Sequence, residues 1–381
     1  MKIALICPYH MFRGGGVQEC VTALRQEYAA RGHDAKIITP MPRDYEGEVP
    51  EHIITLGTSM STTAFAGSAW QWSFSVDNDA IDEVFQREQF DVLHFHEPWI
   101  PFWSRQLLGR ANMATVGTQH GRFWETLTAK TVTTVVTPYV KSMVKHFDVF
   151  TAVSEPATDW FRAVTHRPII IVPNGIDLAK FQVYTPKPKG KKSNTKTIFY
   201  VGRLENRKGV KYLLQAFHDL TKKRKDVRLV IAGSGVDDKK LKEFVADQSI
   251  PRVEFLGFIS EEDKVRYLHE SDLFCSPAVY GESFGIVLLE AMAAGLPLVA
   301  GDNAGYQSTL IDTGAISLVN PKDTVDFARR LEIMMFDEKI RQIWREWALN
   351  YVKQFDYPIV AEQYLAIYEQ AIKRHEEHAK A

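Results

Sequence analysis

Leu273-Phe274-Cys275-Ser276-Pro277-Ala278-Val279-Tyr280-Gly281-Glu282-Ser283-Phe284-Gly285-Ile286-Val287-Leu288-Leu289-Glu290-Ala291 reads as a strand, a glycine-punctuated loop and a helix, in that order. The apolar run 273–275 suits a short buried strand. Gly281 and Gly285 bound a loop, and the apolar residues that follow open a helix. The amides near Phe284, Gly285, Ile286 and Val287 then stand at a helix start, where main-chain donors favour an anion. Glu282 sits in the loop and Glu290 about two turns into the helix. A carboxylate accepts two hydrogen bonds at once, so each glutamate suits a pair of sugar hydroxyls, one on a transferring sugar and one on a ribose. The plainer alternative is a buried structural Glu290.

Outward from this stretch the same alternation recurs. Strands are expected at 197–201, 228–232, 253–256 and 298–300, with helices at 209–222 and 239–247. In the first half, strands are expected at 2–7, 35–39, 92–95, 115–118, 149–153 and 169–172, with helices at 17–31 and 81–89. Strands that alternate with helices imply a parallel sheet covered on both faces. The fold class is therefore α/β, with two consecutive Rossmann-like doubly wound domains. A chain of 381 residues is also long for one core. The expected division is 1–182 as the first domain and 183–196 as a Pro/Lys/Gly-rich linker or exposed loop. The second domain follows at 197–356, and a helix at 357–381 returns to the first. Ligands of such sheets bind at the carboxyl ends of strands, here in the cleft where two facing sheets meet.

The bulk numbers exclude several classes. Lys and Arg total 46 against 47 Asp and Glu, a formal net charge of −1, so no broad nucleic-acid binding is expected. The three cysteines, Cys7, Cys20 and Cys275, form no metal spacing and no disulfide framework, which fits a reducing compartment. No window of about 18 apolar residues occurs. The expected location is the cytoplasm, with peripheral contact at the inner face of the membrane still open.

Other groups fall at strand ends. Gly14-Gly15-Gly16 follows the first strand and opens a helix, which makes a cradle for phosphate or sugar phosphate. A dinucleotide fingerprint requires a third glycine where Glu19 stands, so an NAD site is disfavoured. Arg203 and Lys208 follow the strand 197–201, where two cations suit a departing diphosphate. His120 ends its strand beside Gly121. His94 and His96 share one strand face, but with Glu97 they lack a clear third-ligand pattern, so no metal is expected.

Together these residues resemble the GT-B glycosyltransferases of family 4, over nearly the whole chain. Glu282 and Glu290 match that family's Glu-x7-Glu signature, Arg203 and Lys208 its diphosphate-binding cations, Gly15 and Gly16 its glycine loop, and His120 its cleft histidine. The resemblance implies a retaining, metal-independent transfer from a nucleotide diphosphate sugar such as GDP-mannose or a UDP-sugar. The donor is a co-substrate and no cofactor is implied. His120, Glu282, Arg203 and Lys208 would serve the reaction. Gly15, Gly16, Arg203, Lys208, Glu282, Ser283, Phe284, Gly285, Ile286, Val287 and Glu290 would bind the donor. Cys7-Pro8-Tyr9, Gly15-Gly16-Val17-Gln18 and His94-Phe95-His96-Glu97-Pro98 are similar to phosphatidylinositol mannosyltransferases, which places Tyr9 and Gln18 on the acceptor side. This sequence differs at Trp99, where those enzymes carry a small polar residue, and at Glu125, where they carry a lysine. Trp99 and Arg122 complete the expected acceptor set, and the acceptor is a lipid, glycan or polyol hydroxyl. Aromatic residues at 70, 72, 99, 102, 103, 123 and 124 suit sugar stacking or a lipid interface. The rival readings are a nucleotide-sugar hydrolase or epimerase on the same scaffold, and a non-catalytic nucleotide-sugar binding protein.

Overall fold

The structure, a computed structural model, describes residues 1–12, 14–63, 69–73, 76–99, 102–121, 137–182 and 195–380. It divides into two compact units. Met1–Gly175 with Tyr357–Ala381 forms the first, and Ile176–Asp356 the second.

The first unit is built on β1 (Lys2–Ile6), β2 (Asp34–Pro42), β3 (Ile53–Thr63), β4 (Ala69–Ser73), β5 (Val92–His96), β6 (Ala114–Gln119), β7 (Val149–Ala152) and β8 (Ile169–Ile171). Their order is β4-β3-β2-β1-β5-β6-β7-β8. Every pair is parallel except β3 with β4. Strand β1 shows why the apolar runs are continuous. Ala4 and Ile6 enter one core with Ile38, Leu93, Phe95 and Trp103. Ile3 and Leu5 enter the opposite core with Ile37, Val92, Val116 and Val149. Both faces of a parallel sheet are dry, so polar alternation is absent. Strands β3 and β4 were not expected from the sequence: Gly57 and the Ser/Thr-rich end of β3 hide an apolar period.

The helix Tyr357–Lys380 covers the second of these cores beside the helix Gly16–Ala30. Its buried residues Val360, Ala361, Tyr364, Ile367, Tyr368 and Ala371 recur at helical spacing. Two of its tyrosines also meet buried polar groups of the sheet. Tyr368 Oη lies 2.7 Å from His94 Nδ1 and 3.0 Å from Tyr28 Oη. His94 Nε2 lies 2.5 Å from Thr118 Oγ1, which in turn reaches Thr151 and Tyr364. Burial holds His94 well below the usual histidine range, so the ring is neutral.

The second unit carries β9 (Lys196–Val201), β10 (Val227–Ala232), β11 (Val253–Gly257), β12 (Leu273–Ser276), β13 (Leu298–Gly301) and β14 (Leu318–Val319). The order is β11-β10-β9-β12-β13-β14, all parallel. The chain winds from β9 one way to β11, then crosses back to β12 on β9's other side. That reversal opens a crevice at the carboxyl ends of β9 and β12; in the first unit the equivalent place is between β1 and β5. The helices Thr324–Phe336 and Glu338–Tyr351 fill a region that the sequence reading leaves unassigned.

Tyr368→Phe removes one hydroxyl from two buried partners, His94 and Tyr28. The expected cost is about 1–3 kcal/mol, read as a lower urea midpoint for the first unit with an unchanged slope.

Candidate functional site

The crevice of the second unit is formed by two loops, one after β9 and one after β12. They are locked together by backbone. Val279 N donates to Arg207 O at 2.8 Å. Gly209 has a φ of +69°, and a Cβ there would lie 2.1 Å from Pro277 O, so only glycine lets the loops approach this closely. Tyr200, buried in β9, donates its hydroxyl to Arg203 O at 2.9 Å and pins the start of the first loop.

This packing brings three of the expected residues into one charge network with two that the sequence reading did not assign. Lys208 Nζ lies 2.8 Å and Arg207 Nη1 2.7 Å from the same oxygen, Glu282 Oε1. Arg207 Nε donates to Glu205 Oε2 at 2.9 Å, and Arg203 Nη1 pairs with Glu205 Oε1 at 2.8 Å. Glu205 is buried, whereas the Arg203 side chain is 52% exposed and accessible to a ligand. Burial pushes the Glu282 carboxyl up, but Lys208 and Arg207 outweigh it and hold the group below its ordinary value. Glu282 is therefore an anion throughout the neutral range.

Glu290 lies apart from this network. Its helix, Ile286–Ala293, begins without a side-chain cap after Gly285, whose φ is +96°. Lys264 Nζ donates to Glu290 Oε1 at 2.7 Å, and Glu290 Oε2 is buried with no hydrogen-bond partner. Lys264 also pairs with Glu261. Phe284 is buried against Phe355, its carbonyl accepting from Thr309 Oγ1, so the loop is anchored as the helix begins. Ser283, Ile286 and Val287 stay partly exposed around it.

In the first unit the expected residues cluster at the ends of β1, β5 and β6. Gly15 precedes the helix, Gly16 is its first residue, and Gly15 O accepts from Glu19 N. Gln18 is buried and reaches His10 O at 3.5 Å; Tyr9 is half-buried. His120 is 7% exposed. Its Nε2 lies 2.8 Å from His96 Nδ1 and its Nδ1 3.3 Å from Asn174 Oδ1. Both ring nitrogens are thus engaged inside the unit. Burial lowers the His120 pKa to about 4, so the ring is neutral. Glu97, held at a φ of +49°, accepts from the amides of His120 and Gly121. Burial still raises its carboxyl to about 7 against those bonds.

The structure does not bring Trp99 to this surface. The indole is 5% exposed and packs on Phe147, Phe150, Trp160 and Phe161, its Nε1 donating to Gln119 Oε1 at 2.5 Å. Trp103 is likewise core, while Phe102 is exposed. Arg122, Phe123, Trp124 and Glu125 lie outside the described residues, as does most of the segment 183–196. Among the described residues, Cys20, His96 and His120 bring potential ligand atoms within 4.8 Å of one another. The two histidines are already bonded to each other, and burial pushes the Cys20 thiol up to about 12, which opposes the thiolate that a metal requires.

Two family models match the chain: glycosyltransferase family 4 over residues 14–180 and glycosyl transferases group 1 over residues 184–350. The chain is 30% identical over 371 residues to a phosphatidyl-myo-inositol mannosyltransferase of Mycobacterium leprae, covering 97% of this chain and 96% of that one. The chain belongs to glycosyltransferase family 4. It is also 32% identical over 210 residues to a GDP-mannose-dependent monoacylated alpha-(1-6)-phosphatidylinositol monomannoside mannosyltransferase of Corynebacterium glutamicum, covering 51% and 54% of the two chains. Its fold is that of sucrose-phosphate synthase from Thermosynechococcus elongatus, with a TM-score of 0.77 at 22% identity and coverage of 97% and 98%.

Within this glycosyltransferase, Glu205, Arg207 and Lys264 are the charged groups that the sequence reading passed over. A usable signal existed for Lys264, which shares a helical stripe with the buried Leu268. None marks Arg207, because a basic pair in a turn ordinarily faces solvent.

The buried titratable groups of the first unit predict its pH response. His120 resists protonation when folded, so its contribution is complete above pH 6.5 and lost as pH falls through about 4. His94 and His96 act in the same sense. Glu97 opposes them: its contribution is complete below pH 4.5 and lost as pH rises through about 7. Three histidines outweigh one carboxyl, so stability should rise between about pH 4.5 and 6.5. In Glu97→Gln that rise should steepen. Urea midpoints across the range check both statements, and a flat profile would contradict them.

Proposed function

We propose that this family 4 glycosyltransferase moves a mannosyl group from GDP-mannose to a hydroxyl of a lipid-borne polyol, with retention of configuration and without a metal. The second unit is read as the donor domain and the first as the acceptor domain; 183–196, expected as a linker or exposed loop, falls within the span of the second unit and is read as an exposed loop. The observation that carries this reading is the clustering of Arg203, Lys208 and Glu282 at the reversal point of a parallel sheet. Two cations for a diphosphate thus stand beside one carboxylate for sugar hydroxyls. The mannosyl specificity rests on the names of the relatives, which match nearly the whole length of the chain.

In this reading Arg203 and Lys208 neutralise the diphosphate as the bond from the sugar's anomeric carbon to phosphate oxygen breaks. The acceptor oxygen bonds to the same carbon from the same face, and its proton passes to the departing phosphate. Charge on the leaving group is met by side chains, which is the support for a metal-free reaction. Glu282 takes sugar hydroxyls and Glu290, through its unpartnered oxygen, the ribose. Gly15, Gly16 and the stretch from Ser283 to Val287 complete the donor contacts with main-chain groups. His120 serves as a neutral surface held by His96 and Asn174 beside the reacting sugar. Tyr9 and Gln18, with Arg122, serve the acceptor, and the buried Trp99 acts as packing beneath them. A peripheral membrane contact is read from the relatives named for a phosphatidylinositol acceptor; among the described residues no helix is long and apolar enough to cross a membrane.

GDP-mannose at a hundredfold above its dissociation constant should stabilise the protein by about 2.7 kcal/mol, whereas UDP-glucose should give less at equal concentration. Arg203→Ala and Lys208→Ala should each lower kcat/KM by about a hundredfold to a thousandfold, with turnover unchanged by a chelator. NMR of the product should show the anomeric configuration of the donor. Release of free mannose at full rate without an acceptor would instead identify a hydrolase.

A further inference from the structure

Glu205 and Arg207 have no part in the transfer as described, yet their placement is costly. The Glu205 side chain is 5% exposed and that of Arg207 14%. Charges removed from water to this degree are tolerated only when paired. One guanidinium bridges two carboxylates, with Nε on Glu205 and Nη1 on Glu282. A guanidinium is a rigid planar fork, so it fixes the spacing of the groups that it joins. The main chain holds the fork in turn, since Arg207 O accepts from Val279 N in the loop that carries Glu282.

The charge count gives this bridge a second consequence. Arg203, Arg207 and Lys208 face Glu205 and Glu282, which leaves one net positive charge in the network. Without Arg207, the two carboxylates would cancel Arg203 and Lys208, and a diphosphate would meet a site with no net charge. Both cations on Glu282 also share its Oε1, which leaves Oε2 for a ligand.

We propose that Arg207, backed by Glu205, is a positioning residue that sets the Glu282 carboxylate for the donor sugar and leaves Arg203 and Lys208 to the diphosphate. This rests on the donor-site reading given above. Arg207 lies behind Glu282 and acts through it.

The experiment is steady-state kinetics with GDP-mannose on Arg207→Gln, Arg207→Lys, Glu205→Gln and the double variant Glu205→Gln/Arg207→Gln, with Glu282→Gln as reference. The double variant leaves no unpaired buried carboxylate at position 205 and so guards against simple unfolding. Arg207→Gln and the double variant should lose about a hundredfold in kcat, the scale of a misplaced reacting group. Arg207→Gln, which leaves the network with no net charge, should also raise the donor KM, whereas the double variant keeps one net positive charge and the donor KM. Glu282 would lose one of its two cations, so the acid limb of kcat/KM should move to higher pH. Arg207→Lys, which keeps the charge but not the fork, should recover the donor KM and leave kcat low. A role confined to folding would move the melting temperature without moving the acid limb. Wild-type kcat in Arg207→Lys and in the double variant, with an unmoved acid limb in the double variant and Glu282→Gln inactive, would overturn the proposal alone. An active Glu282→Gln would overturn the donor-site reading beneath it.

Discussion

Glu282 is an anion taken largely out of water, and the charge network at the crevice of the second unit is organised around the need to compensate it. Two cations, Lys208 and Arg207, converge on one of its oxygens from a different loop. A single partner on a flexible stem would hold such a charge poorly, because desolvation of both ions consumes most of the attraction. A second cation with a planar fork, itself tied back to Glu205, makes the arrangement self-consistent. The loops can supply these groups only because they leave adjacent strands. β9 and β12 are neighbours through the crossover, although more than seventy residues separate them in the chain.

The first unit solves a related problem without net charge. Many of its polar core residues are histidines, tyrosines and threonines joined by hydrogen bonds, and burial keeps the histidines neutral. The C-terminal helix takes part in this network through Tyr364 and Tyr368, so the last segment of the chain completes a core begun by the first strand. His120, at one end of the network, is held by hydrogen bonds at both ring nitrogens. Its position is thereby set by groups from β5 and from the segment that precedes the second unit.

The two units therefore present different chemistry. One offers cations and carboxylates near solvent, suited to phosphate and hydroxyl groups. The other offers a neutral, hydrogen-bonded wall with main-chain amides at a glycine-opened helix. Membership of glycosyltransferase family 4 accounts for both, and the added detail of this chain lies in Arg207, Glu205 and Lys264, which complete the settings of Glu282, Arg203 and Glu290.

Much of this was legible in the sequence. Continuous apolar runs alternating with amphipathic stretches gave the parallel sheets, since both faces of such a sheet are buried and leave that pattern in the chain. Glu282, Glu290, Arg203 and Lys208 could be picked out because strand, glycine loop and helix are local features, and residues at strand ends are legible by position. The strands β3 and β4 escaped, because Gly57 and the Ser/Thr-rich end of β3 interrupt its apolar pattern. Trp99 appeared to be an acceptor residue, yet the aromatic side chains around it come from positions 147 to 161. Whether an aromatic residue or a charged residue is buried depends on what other segments bring against it, and no local pattern encodes that. The sequence by itself determined the two parallel sheets apart from the β3–β4 edge, and the types of group at their strand ends. Only the tertiary structure decided which charges pair, because Arg207 becomes a partner of Glu282 when two distant loops pack through Gly209, and before that it is an ordinary basic residue in a turn.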